Sequence, residues 1–245
     1  MRPIARPADA KCGDLIRSRI GVRGALMSAT PFIVCGWYTT DYRKWWNRLR
    51  ENLENIGAPH DFVERPKLSG GWEINTMRKP HEILAALERH PDTTIIFLDV
   101  DCIVRGRYEH LTELASIPGD VGFYLHSRWR KREKNPLCEA RSGTIVVRPT
   151  ALAKAYISAW CKADDGSRRF AVDQHSMMLA IGRVPGLSIT CVDLKYCATL
   201  WDQCPDPIIL HDSASVKAHA HTNMWKRRFH NLKQLVVRQS LLPKQ

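Results

Sequence analysis

A short apolar run that ends in two carboxylates constrains this chain more than any other segment. Ile95 to Leu98 are four consecutive apolar residues, which is typical of a strand buried on both faces of a sheet. Asp99 and Asp101 follow directly, with one apolar residue between them. Ligands of open α/β sheets bind beyond the carboxyl ends of the strands, and paired carboxylates there favour a hard divalent cation that carries a diphosphate. The alternative is a pair of capping or surface carboxylates.

A second apolar strand ends in a histidine, and a lysine follows it. Ile208 to Leu210 precede His211, and Lys217 comes one short loop later. A neutral imidazole can bind a metal, and a lysine can reach phosphate oxygens as a point charge. The imidazole of His211, together with Asp99, Asp101 and two diphosphate oxygens, nearly completes an octahedron, in which the nitrogen ligand favours Mn²⁺ over Mg²⁺. Taken alone, His211 would be interpreted as a hydrogen-bonded histidine at a strand end.

Strands alternate with helices along the chain, which predicts one α/β domain with a mostly parallel central sheet flanked by helices. We expect an N-terminal tail at 1–29, the domain at 30–221 and a basic amphipathic helix at 222–245. Strands are predicted at 32–36, 60–64, 95–98, 121–125, 143–147, 189–194 and 208–210, helices at 41–56, 80–90, 151–163 and 173–181, and a basic loop at 127–139.

Composition and charge narrow the class of protein. Of the 245 residues, 44% are hydrophobic, and no apolar stretch has the length of a bilayer span or forms a signal-peptide core. The net charge of +12 indicates an anionic partner, unless it serves only solubility. None of the 8 cysteines forms a Cys-x-x-Cys pair, so those in apolar runs are interpreted as small hydrophobes in a reducing, cytoplasmic compartment. The sequence leaves open whether two of Cys191, Cys197 and Cys204 form a disulfide.

Four short motifs follow one another along the chain, namely Asp99-Val100-Asp101, Arg141-Ser142-Gly143, Asp173-Gln174 and His211 to Lys217. In this order they resemble the motifs of the GT-A-fold nucleotide-diphospho-sugar transferases, nearest to the glycogenin-like and bacterial lipopolysaccharide galactosyltransferase-like families. The first resembles the metal-binding Asp-x-Asp sequence, and the second the Asn-Ser-Gly strand that lines the donor-sugar pocket. The third resembles an Asp-Gln pair that contacts the donor sugar, and the fourth a His-x-x-Gly-x-x-Lys sequence.

The resemblance implies a single GT-A (Rossmann-like) domain and a metal-dependent transfer of a sugar from a nucleotide sugar, with UDP favoured, to an acceptor hydroxyl with retention. It implies that Asp99, Asp101 and His211 hold Mn²⁺ or Mg²⁺ and that Lys217 binds the diphosphate, whose developing charge needs stabilisation. The sequence itself does not decide between retention and inversion. Three positions depart from the family pattern, namely Arg141 for Asn, Ala214 for Gly and His219 for Trp.

The other motif residues are assigned to the donor sugar by the same resemblance. Asp173 would orient the sugar or stabilise an oxocarbenium-like centre, and it is predicted as catalytic together with Gln174. Ser142 and Gln174 would bond sugar hydroxyls, and Gly143 lies in the strand that lines the pocket. These assignments describe a donor-sugar subsite next to the metal.

Position along the chain suggests three further donor contacts. Lys79 precedes Pro80 at a predicted helix N-terminus, where an anion is favoured and where the family places a basic residue on the diphosphate. Tyr38 and Thr39 follow the first strand, where the family binds the nucleobase, so Tyr38 would stack on the base and Thr39 would bond the ribose or base edge. The alternatives are a solvated lysine and aromatic residues of the core.

Two other functions stay open at the level of the sequence. Asp99-Val100-Asp101 also resembles the nucleophile motif of haloacid-dehalogenase-type phosphatases, but Cys102-Ile103 stands where those have Gly-Thr. Basic segments that contain Trp, at 128–134 and 225–228, would suit a non-catalytic nucleic-acid-binding protein. No known nucleic-acid motif accompanies them, so a specific nucleic-acid partner is not expected.

The expected partners are a nucleotide-sugar donor and a glycan, lipid-linked or protein acceptor. The basic helix predicted at 225–242 carries apolar residues at helical spacing beside lysines and arginines. It would either lie on an anionic membrane at the inner face or dock on the core of the domain.

Overall fold

A computed structural model describes residues 31–69, 72–128, 137–163 and 173–212. The predicted tail, Lys217 and the C-terminal helix lie outside these residues, so the three domain boundaries stay predictions. The strands are β1 (Phe32–Tyr38), β2 (His60–Glu64), β3 (Thr94–Leu98), β4 (Cys102–Val104), β5 (Val121–Arg128), β6 (Leu137–Val147), β7 (Ile189–Cys191), β8 (Ala198–Thr199) and β9 (Ile209–His211). The helices are α1 (Arg43–Asn55), α2 (Trp72–Thr76), α3 (Lys79–Arg89), α4 (Tyr108–Ala115), α5 (Ala151–Cys161) and α6 (Asp173–Ile181), with short 3₁₀ helices at Thr40–Tyr42 and Leu194–Tyr196.

The strands of the described residues form two sheets. The larger has six strands in the order β2-β1-β3-β6-β5-β7, and the smaller has three in the order β4-β9-β8. In the larger sheet β2, β1 and β3 are parallel, β5 and β7 are parallel, and β6 runs antiparallel to both of its neighbours. Five strands of the larger sheet therefore share one direction, which confirms the predicted α/β domain with a mostly parallel sheet.

The central strand β3 is buried along its whole length, as its continuous apolar sequence predicted. Ile96 and Leu98 point into the core beneath α1 and α4, while Ile95 and Phe97 point into the core beneath α3, α5 and α6. Alternate side chains of a strand face opposite sides of the sheet, so helices on both faces favour the unbroken apolar run from Ile95 to Leu98 that follows the buried Thr94. This burial fixes the strand, and with it the loop that carries the two aspartates.

Several predicted bounds are wrong, because local sequence does not show where strand pairing stops. Trp37 and Tyr38 continue β1 instead of opening a loop, and β7 ends at Cys191 although a strand was predicted to 194. β5 and β6 extend into the basic loop predicted at 127–139, of which 129–136 lies outside the described residues. The short elements α2, α4, β4 and β8 were not predicted at all.

Two remaining features bear on the class of protein. Among the described residues, none of the helices is both long and apolar enough to cross a membrane. Cys191, Cys197 and Cys204 are all free thiols, so the disulfide that stayed open in the sequence does not form in this structure.

Candidate functional site

A cavity of about 910 Å³ opens where β1 and β3 end. Leu98 pairs with Thr144 of the antiparallel strand β6, and the amide of Asp99 donates a hydrogen bond to the carbonyl of Gly143 at 2.9 Å. This pairing brings the loop after β3 against the Ser142-Gly143 segment. Every predicted site residue in the described part of the chain lines the cavity, namely Tyr38, Thr39, Lys79, Asp99, Asp101, Ser142, Gly143, Asp173, Gln174 and His211. Lys217 lies outside the described residues.

Lys79 ties three segments of the cavity wall together. Its side chain is 5% exposed, and Nζ lies 2.9 Å from Asp99 Oδ1 and 2.7 Å from Asp173 Oδ2. Nζ also donates to the hydroxyl and the carbonyl of Ser142, both at 3.0 Å. Burial alone would lower the pKa of Lys79, but the carboxylates of Asp173 and Asp99 raise it above its ordinary value. Lys79 is therefore a charged residue that holds the two aspartates side by side.

Asp173 begins α6 and is held on two sides. Ser142 Oγ donates to Asp173 Oδ2 at 2.6 Å, and the same oxygen receives the contact from Lys79. The indole of Trp160 donates to the backbone carbonyl of Asp173 at 3.1 Å. These contacts fix the carboxylate in a buried position at the cavity wall, and Gln174 follows it as the next residue lining the cavity.

Negative charge gathers in this part of the cavity. Burial raises the pKa of Asp99, and the neighbouring carboxylates of Asp101 and Asp173 raise it further, while Lys79 opposes the shift. Asp99 and Asp173 share the ammonium group of Lys79, and the carboxylate of Asp101 adds negative charge beside Asp99, so a cation would be favoured at this place. The site therefore has the electrostatic character of a cation-binding site.

Ligand atoms of Asp101, Cys102 and His211 all lie within 4.8 Å of one another. Cys102 and His211 are direct partners across the antiparallel pair of β4 and β9, with Cys102 Sγ 3.4 Å from His211 Nδ1. His211 Nε2 lies 3.1 Å from Thr144 Oγ1. A carboxylate and an imidazole suit Mn²⁺ and other divalent ions, so the donor set fits a metal; Asp99, by contrast, is engaged by Lys79.

Arg48 of α1 contacts the two chain segments that carry this cluster. It donates to the carbonyl of Asp101 at 3.0 Å and forms an ion pair with Asp212 at 2.8 Å. The amide of Asp212 also donates to the carbonyl of Asp101 at 3.2 Å. The loop after β3 and the end of β9 are thus joined by one guanidinium group and one backbone hydrogen bond.

The predicted base-binding residues also line the cavity. The ring of Tyr38 stacks on Trp46, with centroids 5.6 Å apart and planes at 19°. Thr39 is buried, and its hydroxyl donates to Asp41. Trp46 covers one face of the Tyr38 ring, and Tyr38 also lines the cavity. Tyr38 therefore both packs against the core and forms part of the cavity wall.

The sequence did not indicate one further part of the cavity wall, which is formed by the segment 199–202. Arg141 forms a two-pronged ion pair with Asp202 at 2.5 and 2.9 Å, and Asp202 accepts from the hydroxyl of Thr199 at 2.8 Å. The pair holds Trp201 at the rim, where it is 78% exposed. Arg141 was noted only as a departure from a motif, and no local signal linked it to a residue 61 positions away.

No protein-family profile and no curated protein matches this chain. Among solved structures, it is similar to a glycosyltransferase involved in the glycosylation of the major capsid of PBCV-1, with 16% identity, a TM-score of 0.58, and coverage of 79% of this chain and 100% of that one. The fold is that of a glycosyltransferase. The GT-A resemblance that the four motifs indicated is thereby confirmed at the level of the fold.

Two other solved structures have lower TM-scores. The galactosyltransferase LgtC, in complex with donor and acceptor sugar analogues, has 10% identity and a TM-score of 0.46, covering 74% of this chain and 86% of that one. GlyE of Streptococcus pneumoniae TIGR4, also a glycosyltransferase, has 14% identity and a TM-score of 0.44, covering 74% of this chain and 54% of that one. The fold assignment rests on the capsid glycosyltransferase.

Proposed function

We propose that this protein is a metal-dependent glycosyltransferase that moves a sugar from a UDP-sugar to an acceptor hydroxyl with retention of configuration. The observation that carries the proposal is the convergence of all four motifs, as far as they are described, on one cavity in a glycosyltransferase fold. The fold favours this activity over a haloacid-dehalogenase-type phosphatase and over a non-catalytic nucleic-acid-binding protein.

The leaving diphosphate is the main electrostatic problem of this reaction, because negative charge builds on it as the glycosidic bond breaks. Asp101 and His211 would hold the cation. Asp99 would be a further ligand, with one carboxylate oxygen on the cation and the other on Lys79. Bound there, Mn²⁺ or Mg²⁺ supplies positive charge to the diphosphate oxygens. Lys217 would add a second positive charge, as its spacing after His211 suggests.

Asp173 would face the donor sugar. Its contacts with Lys79 and Ser142 both fall on Oδ2, so Oδ1 is the atom proposed to orient the sugar or to stabilise its cationic centre. A carboxylate that is already fixed by two donors needs little reorganisation when charge develops beside it. Gln174 and Ser142 would bond sugar hydroxyls, and Tyr38 and Thr39 would bind the nucleobase and ribose.

The acceptor side is proposed at the rim formed by Trp201. An aromatic face offers a broad apolar contact with a polar edge, which suits the apolar face of a pyranose ring. Leu200 beside it is 52% exposed and extends the apolar surface. A glycan, whether free, lipid-linked or on a protein, is the class of acceptor that this rim would accept.

The decisive experiment is a donor screen with Mn²⁺. Purified protein is incubated with a panel of nucleotide sugars, and free nucleoside diphosphate is measured with and without a panel of glycosides as acceptors. We expect UDP release that needs Mn²⁺ and one donor, and that Asp101→Asn abolishes. Asp92→Asn, an exposed aspartate outside the cavity, is the matched control and should retain activity.

The product then tests retention, because the anomeric configuration of the transferred sugar is read directly by NMR. An inverted linkage would contradict retention alone. Absence of turnover with every nucleotide sugar, or full activity of Asp101→Asn, would contradict the proposed function.

A further inference from the structure

Sulfur is the unexpected element of the candidate metal site. Cys102 is fully buried in β4 and its thiol lies 3.4 Å from His211 Nδ1 and 3.7 Å from Nε2, with the carboxylate of Asp101 in the same cluster. Register explains the contact, since Cys102 and His211 are Cα partners and directly opposed residues of an antiparallel pair lie on one face of the sheet.

A second cysteine lines the same cavity. Cys197 lies just before β8, which pairs with β9, and it is buried in the cavity wall that also includes Asp101 and His211. One carboxylate, one imidazole and one thiol thus lie within 4.8 Å of one another at the end of the small sheet, and a second thiol belongs to the same cavity wall.

This donor set is softer than a manganese site requires. Mn²⁺ prefers carboxylate, carbonyl and water oxygens and is the weakest binder among the divalent first-row metals, whereas Zn²⁺ is bound tightly by thiolate and imidazole together. Zn²⁺ also favours four ligands in a tetrahedron, with Cys, His and Asp all common among them. The types of these donors therefore suit zinc.

We infer that Asp101, Cys102 and His211, with Cys197 beside them, form a site that selects Zn²⁺ over Mn²⁺ through direct thiolate ligation. On binding, Zn²⁺ forms a bond to Cys102 Sγ, and the thiol proton is released to solvent. Zinc binding does not depend on the reaction that the protein catalyses. Its consequence does rest on the proposed function: zinc held by sulfur would displace the ion that serves the diphosphate and would inhibit transfer.

The other metal-like cluster of the described residues provides the control. Cys35, Asp61 and His90 also bring ligand atoms within 4.8 Å of one another. There, however, Asp61 Oδ2 accepts from Arg89 at 2.8 Å, so a metal would have to displace a guanidinium group. We expect this second cluster to leave zinc binding unchanged when its cysteine is replaced.

The experiment measures metal affinity in the full chain after removal of metals with a chelator. Zn²⁺ is titrated against a chromophoric chelator, and Mn²⁺ is followed by the loss of its free-ion electron paramagnetic resonance signal. Cys102→Ser should lower the ratio of zinc affinity to manganese affinity by about tenfold or more. Cys35→Ser, which replaces another buried cysteine of the same domain, should leave that ratio within about twofold of wild type.

Cobalt provides a spectroscopic readout of sulfur ligation. Co²⁺ bound to the wild-type protein should show a sulfur-to-cobalt charge-transfer band, which Cys102→Ser should remove. A wild-type cobalt complex without this band, or an unchanged affinity ratio in Cys102→Ser, would overturn the inference. If zinc binds and the cobalt complex shows the band, but no nucleotide sugar is turned over, the proposed function is contradicted while the inference of a zinc site is supported.

Discussion

Replacing Lys79 with methionine tests the electrostatics of the cavity most directly. Methionine keeps much of the length of lysine but has neither its charge nor its N–H donors, so the carboxylates of Asp99 and Asp173 lose the ammonium group that lies 2.9 and 2.7 Å away. The side chains of Lys79 and Asp173 are each 5% exposed, which means that water cannot replace the lost partner. Removing one member of a buried ion pair typically destabilises a protein by about 3–5 kcal/mol.

Urea unfolding converts this loss into a measurable shift. With a slope of about 2 kcal/mol per molar urea, the midpoint should fall by about 1.5 to 2.5 M. The matched control is Lys67→Met, because Lys67 also forms an aspartate pair at 2.7 Å, with Asp41, but the two side chains are 62% and 46% exposed. An exposed pair contributes about 0–1 kcal/mol, so the control should shift the midpoint by less than about 0.5 M.

The effect should also depend on pH in a defined direction. The pKa of Asp99 is raised in the folded protein by burial and by neighbouring carboxylates, so its ionised form opposes folding, and that penalty grows as pH rises through the raised pKa. Without Lys79 the penalty is larger. Lys79→Met should therefore be most destabilised at neutral pH and recover towards about pH 4, where carboxyl groups take up protons.

A second substitution separates charge from packing. If the destabilisation comes from uncompensated carboxylates, Lys79→Met combined with Asp173→Asn should be more stable than Lys79→Met alone. Equal midpoint shifts for Lys79→Met and Lys67→Met, or a loss that does not change with pH, would refute the reasoning.

Three further predictions concern the two ends of the cavity. Gly143→Ala would place a methyl group 2.2 Å from His211 Cε1. It should destabilise the protein by about 1–3 kcal/mol in thermal unfolding and weaken Mn²⁺ binding in a metal titration. The control Gly182→Ala, whose added methyl group has its nearest atom 3.9 Å away, should change neither quantity appreciably. Trp201→Ala should raise the acceptor KM by roughly two- to tenfold while the donor KM stays constant, and an unchanged acceptor KM would argue against the proposed rim. Arg141→Gln should have the same kinetic signature through release of the segment that carries Trp201, and a changed donor KM with a normal acceptor KM would contradict that positioning role.

The predictable part of the site consists of features that a few neighbouring residues encode. The strand at Ile95 to Leu98 and the aspartates that follow it could be located because burial on both faces leaves a continuous apolar run. The same holds for the short strand before His211. Helix starts were less certain, yet α3 begins at Lys79, where Pro80 indicated it.

The contacts of Lys79 could not be predicted. A lysine at a helix N-terminus was expected to await a diphosphate, but in the structure it lies between Asp99 and Asp173, which are 20 and 94 positions away. That arrangement depends on β6 pairing with β3, since this pairing sets Asp99 against Gly143, and the adjacent Ser142 contacts both Lys79 and Asp173. Local sequence carries no record of such a pairing.

The contact of Cys102 with His211 could not be predicted from local sequence either. In sequence it is one more cysteine in an apolar run and was interpreted as a small hydrophobe; in the structure it faces His211, 109 positions later. The contact exists because the three-residue strand β4 pairs with β9, and a shift of one residue in that register would turn the thiol to the opposite face.

By itself, the sequence determined which residue types stand at the ends of its buried strands, because hydrophobic patterning acts over a few neighbours. Which of those residues meet, and therefore whether a carboxylate faces an ammonium group, an imidazole or a thiol, was decided only by the tertiary structure. Such contacts join segments more than a hundred positions apart, and their geometry is set by strand order and register across the described domain.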